Sequence, residues 1–373
     1  MLPVSILIVL FLSGDVMTGR GIDQILPHPS DPVLYEPAMK SAKAYVQLTE
    51  EATGPISTPV DFAYIWGDAL AELQHIAPDA RIINLETAVT RSKNWEDKGI
   101  NYRMSPDNVA CLTVAQIDCA VLANNHVLDW RTTGLVETVD ALRKAGIKTA
   151  GASRTRTEAE APAVLEVAGK GRILVFAYGS ETSGVPWHWA VGEDTPGVNL
   201  LADFSDKTIA HIKARVQETK RPGDIVVVSL HWGGNWGYDI PPTRRKFAHQ
   251  LIDEAGVDVI HGHSSPHVKG IEVYTDKLIL YGCGDFLNDY EGISGREEYR
   301  GDLSLMYFAA VEPSTGHLAS LRVTPMLTKH FRKQRASRAD AEWLRDILSR
   351  EDKKLGTRVE LEKDNALTLR WGK

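Results

Sequence analysis

The chain has 373 residues, of which 43% are hydrophobic and 24% are charged, and these are ordinary values for a globular protein. They exclude a disordered or fibrous chain, and the formal net charge of −7 argues against a general nucleic-acid binder, which needs a basic surface. The cysteines Cys111, Cys119 and Cys283 are too few and too scattered for a disulfide framework or a thiolate metal cage. We interpret each as a small buried apolar residue.

The first residues, MLPVSILIVLFLSGDVM, resemble a signal peptide because they contain an apolar run. No Lys or Arg precedes this run, no A-x-A-like cleavage site follows it, and it is too short to span a bilayer. Its β-branched composition predicts instead a buried first strand over about residues 4–12, ended by the turn residues Ser13-Gly14-Asp15. If the chain starts at Met1, we therefore expect a soluble, cytoplasmic protein without a membrane anchor.

The first half of the chain alternates between helix and strand patterns. Such alternation predicts parallel strands that are joined by crossover helices. Helices are predicted over residues 36–50, 61–76, 106–114 and 132–145, and strands over residues 80–86 and 148–153. Residues 117–126 predict a further strand together with its terminal turn.

The second half adds hairpins to this pattern. Residues 162–179 predict a hairpin that turns at Gly169-Lys170-Gly171, and residues 181–204, rich in Gly, Pro and Trp, predict a long loop that acts as a lid or contacts substrate. Further helices are predicted over residues 206–219, 243–255 and 339–348, strands over 224–234, 257–260, 270–274, 277–283, 302–313 and 317–327, and a hairpin over 357–371. The mixture of crossover units and hairpins predicts one α/β domain with two sheets packed between helix layers.

Five predicted strands end in side chains that bind metals or carry out acid–base chemistry. Each cluster has a structural explanation when taken alone: Asp15 caps a turn, Asn125 adopts a left-handed turn, or His231 is a satisfied core histidine. Ligands of α/β proteins collect at the carboxyl ends of strands, so the recurrence on five strands favours one common site. The clusters are Asp15 in GDVM, Glu86 in NLE, Asn124, Asn125, His126 and Asp129 in ANNHVLD, His231 in HWG, and His263 and His267 in HGHSSPH.

The combined ligand set contains carboxylates, an amide oxygen and imidazoles but no thiolate, which suits one or two divalent ions of the Mn, Fe, Zn or Mg class. Two such ions about 3.5–4 Å apart are the arrangement used for phosphate-ester displacement. His126 is the candidate to protonate a leaving oxygen, with Asp129 orienting its imidazole. Arg20 and Arg103 follow site motifs and are candidates to bind an anionic substrate group, the alternative being structural salt bridges.

Several of these segments resemble, in the same order, the CapA family of bacterial capsule and poly-γ-glutamate synthesis proteins, which is related to the calcineurin-like metallophosphoesterases. They include GDVMTGR (14–20), INLETAVT (83–90), LANNHVLDWRTTGL (122–135), HWGGNW (231–236) and HGHSSPHVKGIEVY (261–274). The resemblance implies a four-layer α/β/β/α sandwich of the metallo-dependent phosphatase type over residues 1–330, with residues 331–373 as a C-terminal extension packed on it. The family's motifs fall on Asp15, Glu86, Asn125, His126, His231, His263 and His267.

The sequence departs from the pattern of the wider superfamily at three positions. Met17 stands where the first motif, Asp-x-His, has its histidine, and Glu86 stands where an aspartate is usual. Ser265 holds the second histidine position of Gly-His-x-His, so that His267 either reaches the metal after the turn at Pro266 or binds substrate instead. We therefore expect a weak or absent first metal and a more complete second site, formed by Glu86, Asn125, His231 and His263.

Two functions follow from this resemblance. One is a metal-dependent hydrolase of the phosphoesterase type that acts on an anionic small molecule or polymer end. The other is a non-catalytic accessory subunit that binds polymer during poly-γ-glutamate capsule synthesis or export. Members with the accessory role are usually membrane-anchored, and this sequence shows no anchor, so we expect the hydrolase.

Overall fold

The computed structural model describes residues 7–372. Residues 4–6 of the predicted first strand lie outside the described residues. The strands are β1 (Ile8–Val16), β2 (Ala80–Leu85), β3 (Ala88–Val89), β4 (Arg103–Met104), β5 (Cys119–Val121), β6 (Lys148–Ala150), β7 (Ala152–Ser153), β8 (Ala163–Val167), β9 (Gly171–Ser180), β10 (Gly197–Val198), β11 (Leu200–Leu201), β12 (Ile225–His231), β13 (Val259–His263), β14 (Ile271–Tyr274), β15 (Lys277–Leu280), β16 (Asp285–Leu287), β17 (Leu303–Val311), β18 (Leu318–Lys329), β19 (Arg332–Arg335), β20 (Thr357–Leu361) and β21 (Leu367–Trp371).

The helices lie between and after these strands. They are α1 (Gly21–Ile25), α2 (Lys43–Thr53), α3 (Asp68–Ile76), α4 (Ala110–Thr113), α5 (Arg131–Lys144), α6 (Arg156–Glu160), α7 (Asp206–Thr219), α8 (Pro242–Asp253) and α9 (Arg338–Asp352). No helix in the described part of the chain is long and apolar enough to cross a membrane.

Two large sheets dominate the mixed α/β fold. The first has ten strands, with the order β20-β21-β18-β17-β1-β2-β5-β6, and β16 and β19 pair with β1 and β18 beside this path. Within it β1, β2, β5 and β6 are parallel, as the crossover pattern predicts. The second sheet has seven strands, with the order β11-β9-β12-β13-β15-β14 and with β8 paired to β9.

Alternating side chains of the second sheet belong to two different cores. In β9, the side chains of Ile173 and Val175 share one core with β1, β2 and β17 of the first sheet. Leu174 and Phe176 point the other way and pack in a second core with apolar residues of α7 and α8. This period-two alternation places one face of the sheet against the first sheet and the other against helices.

The prediction that Ser13-Gly14-Asp15 form a turn is wrong, because β1 continues through these residues to Val16. The backbone of β1 passes very close to Gly284: a Cβ built on Gly14 would lie 1.6 Å from the Gly284 carbonyl oxygen, so only glycine fits. The amide N–H of Asp15 donates to that carbonyl at 3.0 Å. Pairing with distant residues therefore overrides the local turn signal.

Three predicted helices are clearly shorter in the structure. Of the helix predicted over residues 106–114, only α4 (Ala110–Thr113) is α-helical, after a 3-10 turn at Pro106–Asn108. The segment predicted as helix 36–50 becomes helical only at α2, which begins at Lys43. The segment predicted as helix 61–76 is divided by Gly67, whose φ of 45° separates a single 3-10 turn from α3. The close approach of Gly67 to the Lys333 carbonyl oxygen explains the break, because a Cβ there would lie 2.1 Å from that oxygen.

The C-terminal segment contacts both sheets. The hairpin of β20 and β21 pairs with β18 of the first sheet, with Val323 opposite Leu367. At the end of α9, Asp352 accepts a 2.7 Å hydrogen bond from the backbone N–H of Ile271 in the second sheet. The other carboxylate oxygen of Asp352 is buried without a hydrogen-bond partner.

Burial raises the pKa of Asp352 from its ordinary value of 3.8 to about 8. Between these two pH values the carboxyl group is ionised in the unfolded chain but protonated in the folded one. The folded state then binds more protons than the unfolded state, so its stability falls as the pH rises through this window and is constant above it.

We expect the free energy of unfolding of the wild-type protein to fall, relative to that of Asp352→Asn, by up to about 1.4 kcal/mol per pH unit between about pH 4 and pH 8. The asparagine keeps the oxygen that accepts from Ile271 and is uncharged at every pH. Urea denaturation at a series of pH values in this window measures both proteins. Equal pH dependence of the two proteins would contradict a buried, protonated Asp352.

Candidate metal centre

Asp15, His231 and His263 meet at the carboxyl ends of β1, β12 and β13. Their ligand atoms all lie within 4.8 Å of one another, and each residue is about 1% exposed. The register of the parallel strands β12 and β13 pairs His231 directly with His263, which brings their Nδ1 atoms to 2.8 Å. Oδ1 of Asp15 lies 3.7 Å from Nδ1 of His263. At this distance the two nitrogens cannot both present lone pairs to each other, so one would carry a proton that it donates to the other, or both would face a cation at their side.

Glu86 and Asn125 lie beside this group. Oε1 of Glu86 lies 3.9 Å from Nε2 of His231, and the side-chain oxygen of Asn125 lies 3.1 Å from the same nitrogen. With Asp15 and His263 they form a set of oxygen and nitrogen donors with no thiolate, which fits a divalent ion such as Mn²⁺, Fe²⁺ or Zn²⁺. The structure therefore brings three of the predicted ligands, Asp15, His231 and His263, within 4.8 Å of one another, and places Glu86 and Asn125 on the Nε2 side of His231.

Asn84 and Asn124 hold these ligands in place, a role the sequence motifs did not assign to either residue. The side-chain NH₂ of Asn84 donates to Asp15 at 2.7 Å and to Glu86 at 3.2 Å. Asn124 donates to the side-chain oxygen of Asn84 at 3.0 Å. The amide chain fixes the orientation of both carboxylates, as outer partners of metal ligands commonly do.

His126 forms a hydrogen-bonded pair with Asp129 at the edge of the group. Nδ1 of His126 lies 2.7 Å from Oδ2 of Asp129, and Nε2 lies 3.8 Å from Oε1 of Glu86. Asp129 is fully buried and also accepts from the N–H of Tyr102 at 2.6 Å. Since the carboxylate needs a donor, it favours the tautomer with the proton on Nδ1 and the lone pair on Nε2, facing the site.

Lys98 also lies beside the His126–Asp129 pair, and no motif in the sequence pointed to it. Its ammonium group donates to Asp129 at 2.8 Å and to the backbone oxygen of Asn125, and its side chain is 22% exposed. It also lies 5.1 Å from the ring of Trp189, in the segment predicted as a lid or substrate loop. Lys98 thus places a positive charge at the solvent side of the group.

The acids and bases of the group have pKa values shifted in opposite directions. Burial raises the pKa of Asp15 to about 6, and burial together with the negative charges of Asp15 and Asp285 raises the pKa of Glu86 well above its ordinary value. Burial lowers the pKa of His126 to about 4 and that of His231 well below its ordinary value. The neutral imidazoles offer lone pairs while the carboxylates lack a counter-charge, and a divalent cation suits both conditions.

His267 is not part of the three-residue group, although the motif predicted it as a ligand. Its Nδ1 lies 3.0 Å from the backbone oxygen of Val268, and its ring stacks on Tyr299 at 4.3 Å. Its Nε2 is buried without a partner. The aromatic contacts turn the ring of His267 towards the loop that carries Tyr299.

The two arginines predicted to bind substrate have other partners. Arg20 is 3% exposed and forms ion pairs with Asp289 and Glu36, so its charge is neutralised inside the protein. Arg103 donates to two backbone oxygens and stacks on Trp130 at 4.0 Å, beside a separate cleft of about 280 Å³. Arg20 therefore forms structural salt bridges, which is the alternative to substrate binding. Neither guanidinium belongs to the group of Asp15, His231 and His263.

Comparison with known proteins supports the resemblance to the CapA family. The model of the family "Bacterial capsule synthesis protein PGA_cap" matches residues 9–290. A probable polyglutamine synthesis accessory protein of Mycobacterium tuberculosis is 47% identical over 364 residues, which are 97% of this chain and 96% of the relative. The PGA biosynthesis protein CapA of Bacillus subtilis is 31% identical over 279 residues, 74% of this chain and 62% of the relative.

The capsule biosynthesis protein CapA of Bacillus anthracis is 28% identical over 279 residues, 74% of this chain and 58% of that relative. The matched region of the family model contains every residue of the candidate metal centre, from Asp15 to His263. The chain belongs to the PGA_cap family of bacterial capsule synthesis proteins.

Proposed function

We propose that this protein is a metal-dependent hydrolase of the phosphoesterase type that acts on an anionic substrate in capsule or poly-γ-glutamate synthesis. The observation that carries the proposal is the buried group of Asp15, His231 and His263 beside the hydrogen-bonded pair of His126 and Asp129. Two sheets that share one core, with helices on an outer face, support a four-layer sandwich of the metallophosphatase type.

In this proposal Asp15, His231 and His263 hold the divalent ion, and Asn125 and Glu86 lie on the Nε2 side of His231 beside it. A bound divalent ion supplies positive charge and an activated water molecule. Asn84 keeps the carboxylates of Asp15 and Glu86 in position through its two hydrogen bonds.

His126 is the proton carrier. Because Asp129 holds the proton on Nδ1, Nε2 accepts a proton when the attacking water loses one, and His126 then donates it to the leaving oxygen. Asp129 stabilises the imidazolium through their 2.7 Å contact. Lys98 is paired with Asp129 but keeps a side chain that is 22% exposed, so in this proposal it is the cation that an anionic substrate meets in place of Arg20 and Arg103.

We expect hydrolysis of an aryl phosphate by the metal-loaded protein to disappear with EDTA and to return with Mn²⁺. His126→Ala should lower kcat by about 10²- to 10⁴-fold with the metal content unchanged, because it removes proton transfer and no metal ligand. Glu86→Ala should lower both activity and metal content. Steady-state assays and metal analysis of the purified proteins measure these effects.

His249→Ala is the matched control, since His249 lies away from the group and pairs with Glu272. It should keep wild-type activity. Activity that survives EDTA, or that survives both His126→Ala and Glu86→Ala, would contradict a metal-dependent hydrolase.

A second candidate is an accessory protein that binds polymer without turnover. It is favoured by the name of the M. tuberculosis relative, which describes that protein as an accessory protein. Stoichiometric metal binding without hydrolysis of any ester would favour this candidate over the first.

We expect Lys98→Ala to weaken binding of an anionic glutamate oligomer by about tenfold or more, because a hydrogen bond to a charged group contributes about 1.5–3 kcal/mol. Lys93→Ala is the matched control, as it removes an equal charge from an exposed position of the same loop. Fluorescence anisotropy with a labelled oligomer measures both. Equal affinities of the two variants would argue against Lys98 as the anion-binding residue.

A further inference from the structure

Arg244 is a buried arginine whose charge has no carboxylate partner in the described part of the chain. It lies in the first turn of α8, is 7% exposed, and has a buried Nε without a hydrogen-bond partner. Among residues 7–372, no carboxylate oxygen lies within 4.0 Å of its guanidinium nitrogens. A buried cation without a counter-ion is costly, so its presence favours an anion that comes from outside the chain.

The guanidinium of Arg244 packs on Gly233, two residues after His231. A Cβ built on Gly233 would lie 2.2 Å from Nη2 of Arg244, so glycine leaves the room that the guanidinium occupies. The carbonyl oxygen of Gly233 accepts from the hydroxyl of Ser264 at 3.1 Å, and the backbone N–H of Ser264 donates to Asp15 at 3.1 Å. Arg244 therefore lies against the loop between β12 and α8, which borders the candidate metal centre.

Lys269 places a second buried cation at the same loop. It is 4% exposed, and its ammonium group donates to the backbone oxygen of Gly237 at 2.6 Å. No carboxylate oxygen of the described residues lies within 4.0 Å of this ammonium, although the charges of Asp239 and Glu351 act on it from further away. Burial and the positive charge of Arg244 lower the pKa of Lys269 to about 8, because two like charges lie near each other.

We propose that Arg244 and Lys269 form a subsite for an anionic group of the substrate, a carboxylate or a phosphate. The inference rests on the proposed function in that the substrate is anionic. It adds that the substrate carries a further anionic group besides the one that reaches the metal, as an oligomer with successive acidic groups does. A guanidinium presents paired N–H donors that match two oxygens of either group, and the lysine adds a point charge.

A purely structural role for Arg244 would have a different effect on stability. Its guanidinium carbon lies 5.5 Å from the ring of Trp232, which is within the range of a cation–π contact. If this contact were the role of the arginine, Arg244→Met would lower the Tm of the ligand-free protein. If the arginine awaits an anion, the methionine removes an uncompensated buried charge, and the Tm stays the same or rises.

The experiment measures binding of two anions to the purified protein: a labelled glutamate oligomer by fluorescence anisotropy and inorganic phosphate by isothermal titration. Arg244→Met should weaken at least one of them by about tenfold or more, because hydrogen bonds to a charged group are lost. Weakening of the oligomer alone identifies a carboxylate subsite, and weakening of phosphate alone a phosphate subsite. Lys246→Met is the matched control, since it removes a positive charge from an exposed position of the same helix, and it should bind both anions as the wild type does.

Unchanged binding of both anions by Arg244→Met would overturn the subsite. An equal loss in Lys246→Met would overturn it too, because net charge alone would then explain the effect. Neither result touches the proposed function, which the EDTA test decides separately, and Arg244-dependent binding in a protein without hydrolase activity would overturn the hydrolase alone. If Arg244→Met does not fold, Arg244→Lys keeps the charge without the planar fork, and unchanged binding by that variant would overturn the subsite.

Discussion

The close approach of β1 to the backbone at Gly284 places Asp15 between the two sheets. The contact requires a residue without a side chain at Gly14, and the N–H of Asp15 donates to the Gly284 oxygen. The second sheet reaches the same segment, because the N–H of Ser264 donates to Asp15 at 3.1 Å and His261 contacts the backbone oxygen of Ser13 at 2.7 Å. Asp15 is thereby held where His231 and His263 arrive from the other sheet.

The electrostatic state of the centre follows from its position between the sheets. Desolvation makes the carboxylates of Asp15 and Glu86 harder to ionise and the imidazoles of His126 and His231 harder to protonate. Burial therefore disfavours charge on each of these residues, whereas a bound cation would favour ionised carboxylates and neutral imidazoles. The amide side chains of Asn84 and Asn124 hold the carboxylates in position, so that little rearrangement is needed on binding.

Much of the fold and part of the centre could be predicted because their signals are local. The helix predicted over residues 206–219 is α7 without change, and the candidate ligands Asp15, His231 and His263 follow from apolar runs that stop at a polar residue. The side-chain partners of Arg20 and His267 could not be predicted. Each depends on partners far along the chain, such as Asp289 for Arg20 and Tyr299 for His267.

Lys98 and Asp285 lie at the candidate centre although no sequence motif placed them there. Lys98 lies in a polar loop with no motif, and it reaches the candidate centre only because that loop folds against Asp129. Asp285 looks like a turn residue in the sequence, but the pairing of β16 with β1 places it next to Asp15. Strand order, which brings residues 270 positions apart into register, is the information that a single sequence lacks.

Anomalous diffraction at the Zn absorption edge, on crystals of the Zn²⁺-loaded protein, tests the central claim most directly. We predict a strong anomalous peak bounded by Asp15, His231 and His263, with Asn125 nearby. A protein that takes up Zn²⁺ but shows its peak elsewhere, or that shows no peak at saturating Zn²⁺, would contradict the assignment of this group as the metal centre.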